Sequence, residues 1–146
     1  MMTVERQIEA FEGRSCKAYP DPLTGGAPWT IGVGHCGPDV KCHTAWTNDQ
    51  IDAAFCADVA DARRACASRW EWFDALNEPR KAVLIGMAFQ LGMRGLLGFS
   101  RMLDAVRDQR YMTAAEEMRQ SKWAKQTPRR TMCLALQMES GEWEAP

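Results

Sequence analysis

The 146-residue sequence has no apolar run approaching the roughly 18 residues that a membrane-spanning helix requires, so no membrane insertion is expected. Its opening, Met1-Met2-Thr3-Val4-Glu5-Arg6, lacks the charged segment and apolar stretch of a secretory leader, and the expectation is a chain made and folded in the cytoplasm. It has no internal repeat and no low-complexity tract, and its length suits one domain, or one compact body with two lobes. No glycine-rich phosphate loop and no nucleophile elbow is present, which argues against nucleotide chemistry and serine-hydrolase chemistry, and no cofactor is expected. A surplus of positive charge is also missing. The formal net charge is −1, which argues against a general nucleic-acid binder.

What is present begins with an uneven charge distribution. Residues 1–60 hold four Lys/Arg against eight Asp/Glu, and the rest holds fourteen against eleven. Arg119, Lys122, Lys125, Arg129 and Arg130 follow one another with no acidic residue between Glu117 and Glu139. Such a run is either a basic patch for an anionic polymer or a solvated helix face. Six cysteines also stand out: Cys16, Cys36, Cys42, Cys56, Cys66 and Cys133. Cys36 and Cys42 bracket the turn-rich Gly37-Pro38-Asp39 and form the best candidate pair for a bridge. Cys56 and Cys66, ten residues apart on one expected helix, would lie roughly 15 Å apart, beyond disulfide reach. His35, Cys36, Cys42 and His43 lack the paired spacing of a zinc finger, so no metal is expected. The default reading of the thiols is as small buried hydrophobes or as sites of late oxidation.

Periodicity places the elements. Thr3 can cap a first helix with Val4, Ile8 and Phe11 on one face and Gly13 as its stop, putting Glu12 in the last turn. Tyr19 to Pro28 is rich in turn formers, and Trp29-Thr30-Ile31-Gly32-Val33 alternates like a strand, so a small irregular sheet is expected there. Thr47-Asn48-Asp49-Gln50 has capping-box form, and Ile51, Phe55, Val59 and Ala62 then make one stripe of a long helix ending by about Trp70. Asn77 and Pro79 open a helix whose Ala82–Phe89 stretch is apolar on all sides. Beyond Gly92 to Gly98, short helices follow, with Met102, Leu103 and Val106 as one apolar face and Ala114, Ala115 and Met118 as another. Pro128 starts a last helix carrying Cys133, Leu134, Leu136 and Met138. The fold class is α+β, mostly α. A β-containing N-terminal lobe spans about 13–46, a connecting helix about 47–70, and a larger helical lobe about 71–146 together with helix 1–12. A cleft between lobes is the natural seat for a polymer.

Glycoside hydrolysis needs one acid to protonate the leaving oxygen and one carboxylate to activate water or attack the sugar. Glu12, closing a helix, and Asp21, in a constrained Pro-Asp-Pro turn, fit those roles, although most carboxylates simply solubilise a surface. A larger ordered set carries more weight: Phe11-Glu12-Gly13, Ala18-Tyr19-Pro20-Asp21, Trp29-Thr30-Ile31-Gly32-Val33-Gly34-His35, Ala88-Phe89-Gln90-Leu91-Gly92, Gly98-Phe99, Ser121 to Arg130, and Gly141-Glu142-Trp143. Taken together, it resembles the lysozymes of T-even bacteriophages and related endolysins across nearly the whole chain. The resemblance implies the phage lysozyme fold and a catalytic triad of Glu12, Asp21 and Thr30. It places Arg130 as the ion-pair partner of Glu12 and Gln90 as an amide in the cleft, with His35, Gly32 and Phe89 nearby. The stretch from Asp21 to Thr30 is about three residues longer than in the T-even enzymes, and the extra length falls among turn formers between Leu23 and Pro28, where insertions cost little.

By this resemblance the substrate is peptidoglycan, cut by inversion between N-acetylmuramic acid and N-acetylglucosamine. Glu12 donates the proton while Asp21 and Thr30 orient the attacking water, with the carboxyls roughly 6.5–9.5 Å apart. A guanidinium beside Glu12 favours its charged form and burial opposes it. Read from local sequence alone, Arg130 could equally be a surface base. Trp123 reads as a core aromatic, and His35 as a residue that orients the hairpin by a hydrogen bond. Two other readings compete: a lytic transglycosylase on the same bond, and a non-catalytic cell-wall-binding module. The expected protein is a monomeric endolysin that waits in the host cytoplasm until a holin releases it to the periplasm and wall.

Overall fold

A computed structural model describes all residues, 1–146. Seven α-helices and a three-stranded antiparallel sheet make an α+β, mostly helical fold. Helix α1 covers Val4–Glu12 and strand β1 covers Ser15–Tyr19. Strands β2 and β3 are Thr30–Gly32 and His35–Cys36. Five longer helices follow: α2, Asn48–Arg69; α3, Glu78–Leu97; α4, Ser100–Arg107; α5, Tyr111–Arg119; and α7, Pro128–Ser140. The short α6, Lys122–Gln126, precedes α7.

The helix ends follow the sequence chemistry closely. The Thr3 hydroxyl accepts from the Arg6 amide, and Gly13 stops α1 at a positive φ of 74° that disfavours any side chain. Thr47 and Gln50 form the expected capping box, each side chain meeting the other's backbone N–H. Asn77 caps α3, and Pro79 sits in its first turn, where a missing N–H costs nothing. At Gly92 the backbone leaves helical geometry, so α3 bends there and resumes to Leu97.

The sheet is small and irregular. Tyr19 lies opposite Thr30 and Ser15 opposite Gly32, with a bulge between; on the other side Thr30 faces Cys36 and Ile31 faces His35. The outer edge of β1 is covered by the 44–46 segment, since the Ala18 amide donates to the Thr44 carbonyl and the Trp46 amide to the Cys16 carbonyl. β1 carries no clean alternation of apolar residues, and its strand character rests on this pairing from both sides.

One core runs through the molecule. From α2, Ile51, Phe55 and Val59 enter it, α3 supplies an unbroken buried run from Ala82 to Ala88, and Met102, Met118, Trp123 and Leu134 close it from the later helices. Helix α1 precedes the sheet but packs on α3. It is also fastened to α7 by a reciprocal amide pair: Gln7 Nε2 donates to Gln137 Oε1 at 2.7 Å, and Gln137 Nε2 donates back to Gln7 Oε1 at 3.2 Å. Gln7 Nε2 also reaches the Glu144 carbonyl, tying down the C-terminal segment.

Several sequence expectations need correction. Cys36 and Cys42 form no bridge; all six thiols are free. The loop between them is shaped instead by two local turns and by burial of Val40, while Cys36 is held in β3 opposite Thr30. Only Cys66 and Cys133 are buried, so the other four are not core hydrophobes. Cys56 and Cys66 do share one continuous helix. The last helix carries Cys133, Leu134, Leu136 and Met138 as expected, with Leu134 and Met138 in the core and Leu136 exposed. The basic run does not form one patch: Arg119 pairs with Glu139, and Arg130 is buried.

Candidate active site

Glu12 is the last residue of α1, where the backbone carbonyls of the final turn face outward and a negative charge is poorly placed. Arg130, in the first turn of α7, offsets this directly, its Nη1 donating to Glu12 Oε1 at 2.7 Å. The pair is largely withdrawn from solvent, with Glu12 retaining 21% of its side-chain exposure and Arg130 9%. The guanidinium also lies over the Phe11 ring, 4.9 Å from its centroid. Arg130 is therefore a buried partner of Glu12, and the surface-base alternative is excluded.

The other wall comes from the turn between β2 and β3. Gly32 and Gly34 both have positive φ, 65° and 66°, and a Cβ on Gly34 would lie 3.2 Å from Glu12 Oε2 and 3.2 Å from a Phe89 ring carbon. The absence of that side chain lets the sheet backbone approach the carboxyl group. Beside this contact opens a cavity of about 340 Å³, lined among others by Gly34, Cys36, Ala62, Phe89 and Met93. Phe89 meets Phe55 edge to face at 5.8 Å, which fixes its ring.

Asp21 and Thr30 belong to the sheet and its long loop. The loop closes through backbone bonds from Asp21 N to the Gly26 carbonyl and from Gly25 N to the Asp21 carbonyl. Asp21 Oδ1 accepts from the Leu23 amide at 2.7 Å, so one carboxylate oxygen is used for the turn. The extra loop length forms this closed turn, with Leu23 exposed at its tip. Thr30 is half-buried between Tyr19 and Cys36 in the sheet register.

His35 does orient the hairpin, and through an ionic partner. Its Nδ1 is 2.7 Å from Asp58 Oδ2 on α2, its Nε2 is 3.3 Å from Asp39 Oδ2, and its ring lies 5.2 Å from that of Trp46. Burial works against the charged imidazole, but the hydrogen bond and charge of Asp58, with help from Asp39, outweigh it and hold His35 above its ordinary pKa. Gln90 is half-buried and accepts from the Trp123 indole at 2.9 Å. Trp123 is a core aromatic as expected, 3% exposed and edge-on to Phe99.

Three contributors escaped the sequence reading. Arg14, two residues after Glu12, reaches Glu9, Asn48 and Asp52, and so pins the end of α1 to the start of α2. Gly34 makes the close approach just described, and Tyr19 ends β1 directly opposite Thr30. Only Gly34 carried a usable signal, a glycine in a two-glycine turn.

The phage lysozyme family matches residues 9–137. The chain belongs to this family and is a lysozyme-like cell-wall hydrolase, a glycosidase acting on peptidoglycan. It is 26% identical to the "Probable T4-type lysozyme 1" of Dictyostelium discoideum, with 98% of this chain and 97% of that protein aligned. It is 30% identical to "Probable T4-type lysozyme 2" of the same organism over 47% of this chain and 41% of that one. It is 27% identical over 99% of its length to the pre-baseplate central spike protein Gp5 of Enterobacteria phage T4, of which it spans 29%.

Proposed function

We propose that this protein hydrolyses the β-1,4 bond between N-acetylmuramic acid and N-acetylglucosamine, with Glu12 as general acid. The observation that carries the reading is the Glu12 carboxyl group, anchored through Oε1 by Arg130 while Oε2 faces Gly34 at the edge of a cavity. A single anchored oxygen leaves the other available to a glycosidic oxygen. Glu12 delivers its proton there as the bond to C1 breaks. Asp21 and Thr30 hold the attacking water on the opposite face, Asp21 takes the proton that the water gives up as its oxygen bonds to C1, and the configuration at C1 inverts. The free oxygen of Asp21 and the Thr30 hydroxyl, which makes no hydrogen bond within the chain, are the groups available for that water. Gly32 and Gly34 shape the turn, Phe89 forms an apolar wall, and His35 supports the site from β3 and Gln90 from α3.

In the cell we assign the protein to host lysis from within, as a monomeric endolysin reaching the wall after a holin opens the membrane. The resemblance to phage endolysins supports this role. Persistence of lysis in an infected cell whose holin has been disabled would show it wrong.

The decisive comparison is wild type against Glu12→Gln on outer-membrane-permeabilised Gram-negative cells. Loss of turbidity should slow by at least about 100-fold in the amide variant, since the transferable proton is gone while the shape is kept. Undiminished lysis by that variant would overturn the assignment. Mass spectrometry of the products should show reducing ends; 1,6-anhydro ends would mean transglycosylation, and binding without cleavage would mean a wall-binding module.

A further inference from the structure

Tyr19 is the one large aromatic side chain at the site that is substantially exposed, at 39%. It closes β1 directly opposite Thr30, and Thr30 in turn faces Cys36. These two pairings set Tyr19, Thr30 and Cys36 in one row on the same face of the sheet, and Cys36 lines the cavity beside Gly34. Burial pushes the phenol above its ordinary pKa, and the charges of Glu12 and Cys36 push the same way, so it carries its proton throughout the neutral range. It is therefore an O–H donor at any pH where a wall hydrolase works, and it forms no hydrogen bond within the chain.

A donor in this position has little else to do for the fold. Tyr19 is absent from the residues packed on the core. The ring is not held by a stacking partner either, in contrast to the His35 and Trp46 rings nearby. An aromatic face with an unused hydroxyl, paired across the sheet with Thr30, matches the chemistry of a pyranose, which presents C–H bonds on one face and hydroxyl or acetamido oxygens at its edge.

We infer that Tyr19 is a substrate-binding residue, its phenol donating a hydrogen bond to an oxygen of the N-acetylated sugar beside the bond that Glu12 protonates, with its ring against the face of that sugar. This rests on the proposed glycosidase reading, whose site it completes. The contact acts in the ground state and in the transition state alike. Removing it should raise KM while leaving kcat within about twofold.

The test measures binding and turnover separately. Soluble glycan strands freed of stem peptides are titrated into Glu12→Gln, which keeps the site's shape, and into the same variant carrying Tyr19→Phe or Tyr19→Ala. The Phe variant should bind about two- to tenfold more weakly, as expected for one hydrogen bond, and the Ala variant more weakly still. In the otherwise wild-type protein, Tyr19→Phe should raise KM by a similar factor. Equal binding by all three folded proteins would overturn the inference, as would a fall confined to kcat. If Tyr19→Ala does not fold, Tyr19→Phe decides alone. The proposed function fails separately: a wild-type protein that leaves the wall intact would refute cleavage, whereas an active one with indifferent Tyr19 variants would refute only the role of Tyr19.

Discussion

His35 in β3 and Asp58 on α2 face each other across the junction of the sheet and the long helix, Nδ1 to Oδ2 at 2.7 Å. Because the folded protein holds His35 above its ordinary pKa, protonation favours the fold. The stabilisation is complete below about pH 6.5, the value for an unfolded histidine, and is lost as pH rises through the higher folded value. His35→Asn should therefore cost about 1 kcal/mol at pH 5.5 and markedly less at pH 8.5. Denaturant titrations of both proteins across that range measure the difference, and a pH-independent gap would rule out the ionic contribution.

Arg130 keeps Nε and Nη2 buried without partners and spends its charge on Glu12 through Nη1 alone. Replacing it with Met keeps the bulk but leaves the carboxylate without a counter-ion at the end of α1. A loss of about 1–3 kcal/mol is expected, less than for a fully buried pair because Glu12 is partly solvated. Combining it with Glu12→Gln should recover part of that loss, since the charge needing compensation is then gone. Strictly additive effects in this cycle would deny the coupling.

Gly34→Ala would place a methyl group against Glu12 Oε2 and Phe89 at a backbone φ of 66°. The left-handed conformation alone costs about 1–2 kcal/mol for a residue with a side chain. Activity should fall further than stability, because the atom displaced first is the Glu12 carboxyl oxygen that lies against Gly34. Thermal unfolding and turbidity clearance, measured together, check this; full activity in a destabilised variant would contradict it.

The thiols separate by environment. Burial pushes Cys66 up to about 12, and burial with the nearby Glu144 charge raises Cys133, so neither should react with a thiol reagent in the native state. Cys16, Cys36, Cys42 and Cys56 are exposed and should react. Among them Cys36 lines the cavity beside Gly34 and Phe89, and a bulky maleimide there should inhibit lysis. Cys36→Ser should remain active after the same treatment; inhibition that persists in it would place the sensitive thiol elsewhere.

How far the sequence foretold this structure depends on the kind of interaction. Thr3, Gly13, the Thr47–Gln50 box and Asn77 act within a few residues, and each helix end stands where local chemistry puts it. Strand β1 could not be read that way, since its order depends on β2 on one edge and residues 44–46 on the other. The closeness of Glu12 and Arg130, 118 positions apart, was legible only through resemblance to a family, because no periodicity relates them. Cys36 and Cys42 mislead for a related reason: nearness along a loop says nothing of a buried Val40 between them.

The Gln7–Gln137 handshake joins the helix bearing Glu12 to the helix bearing Arg130 without using a formal charge. Neither amide titrates, and ionic strength does not screen their mutual bonds as it weakens exposed ion pairs. The two helices therefore keep their alignment across acid shifts and salt jumps that would loosen a joint built on carboxylates and guanidinium groups. The ion pair of Glu12 with Arg130 spans the same two helices, so their alignment does not depend on that charged contact alone.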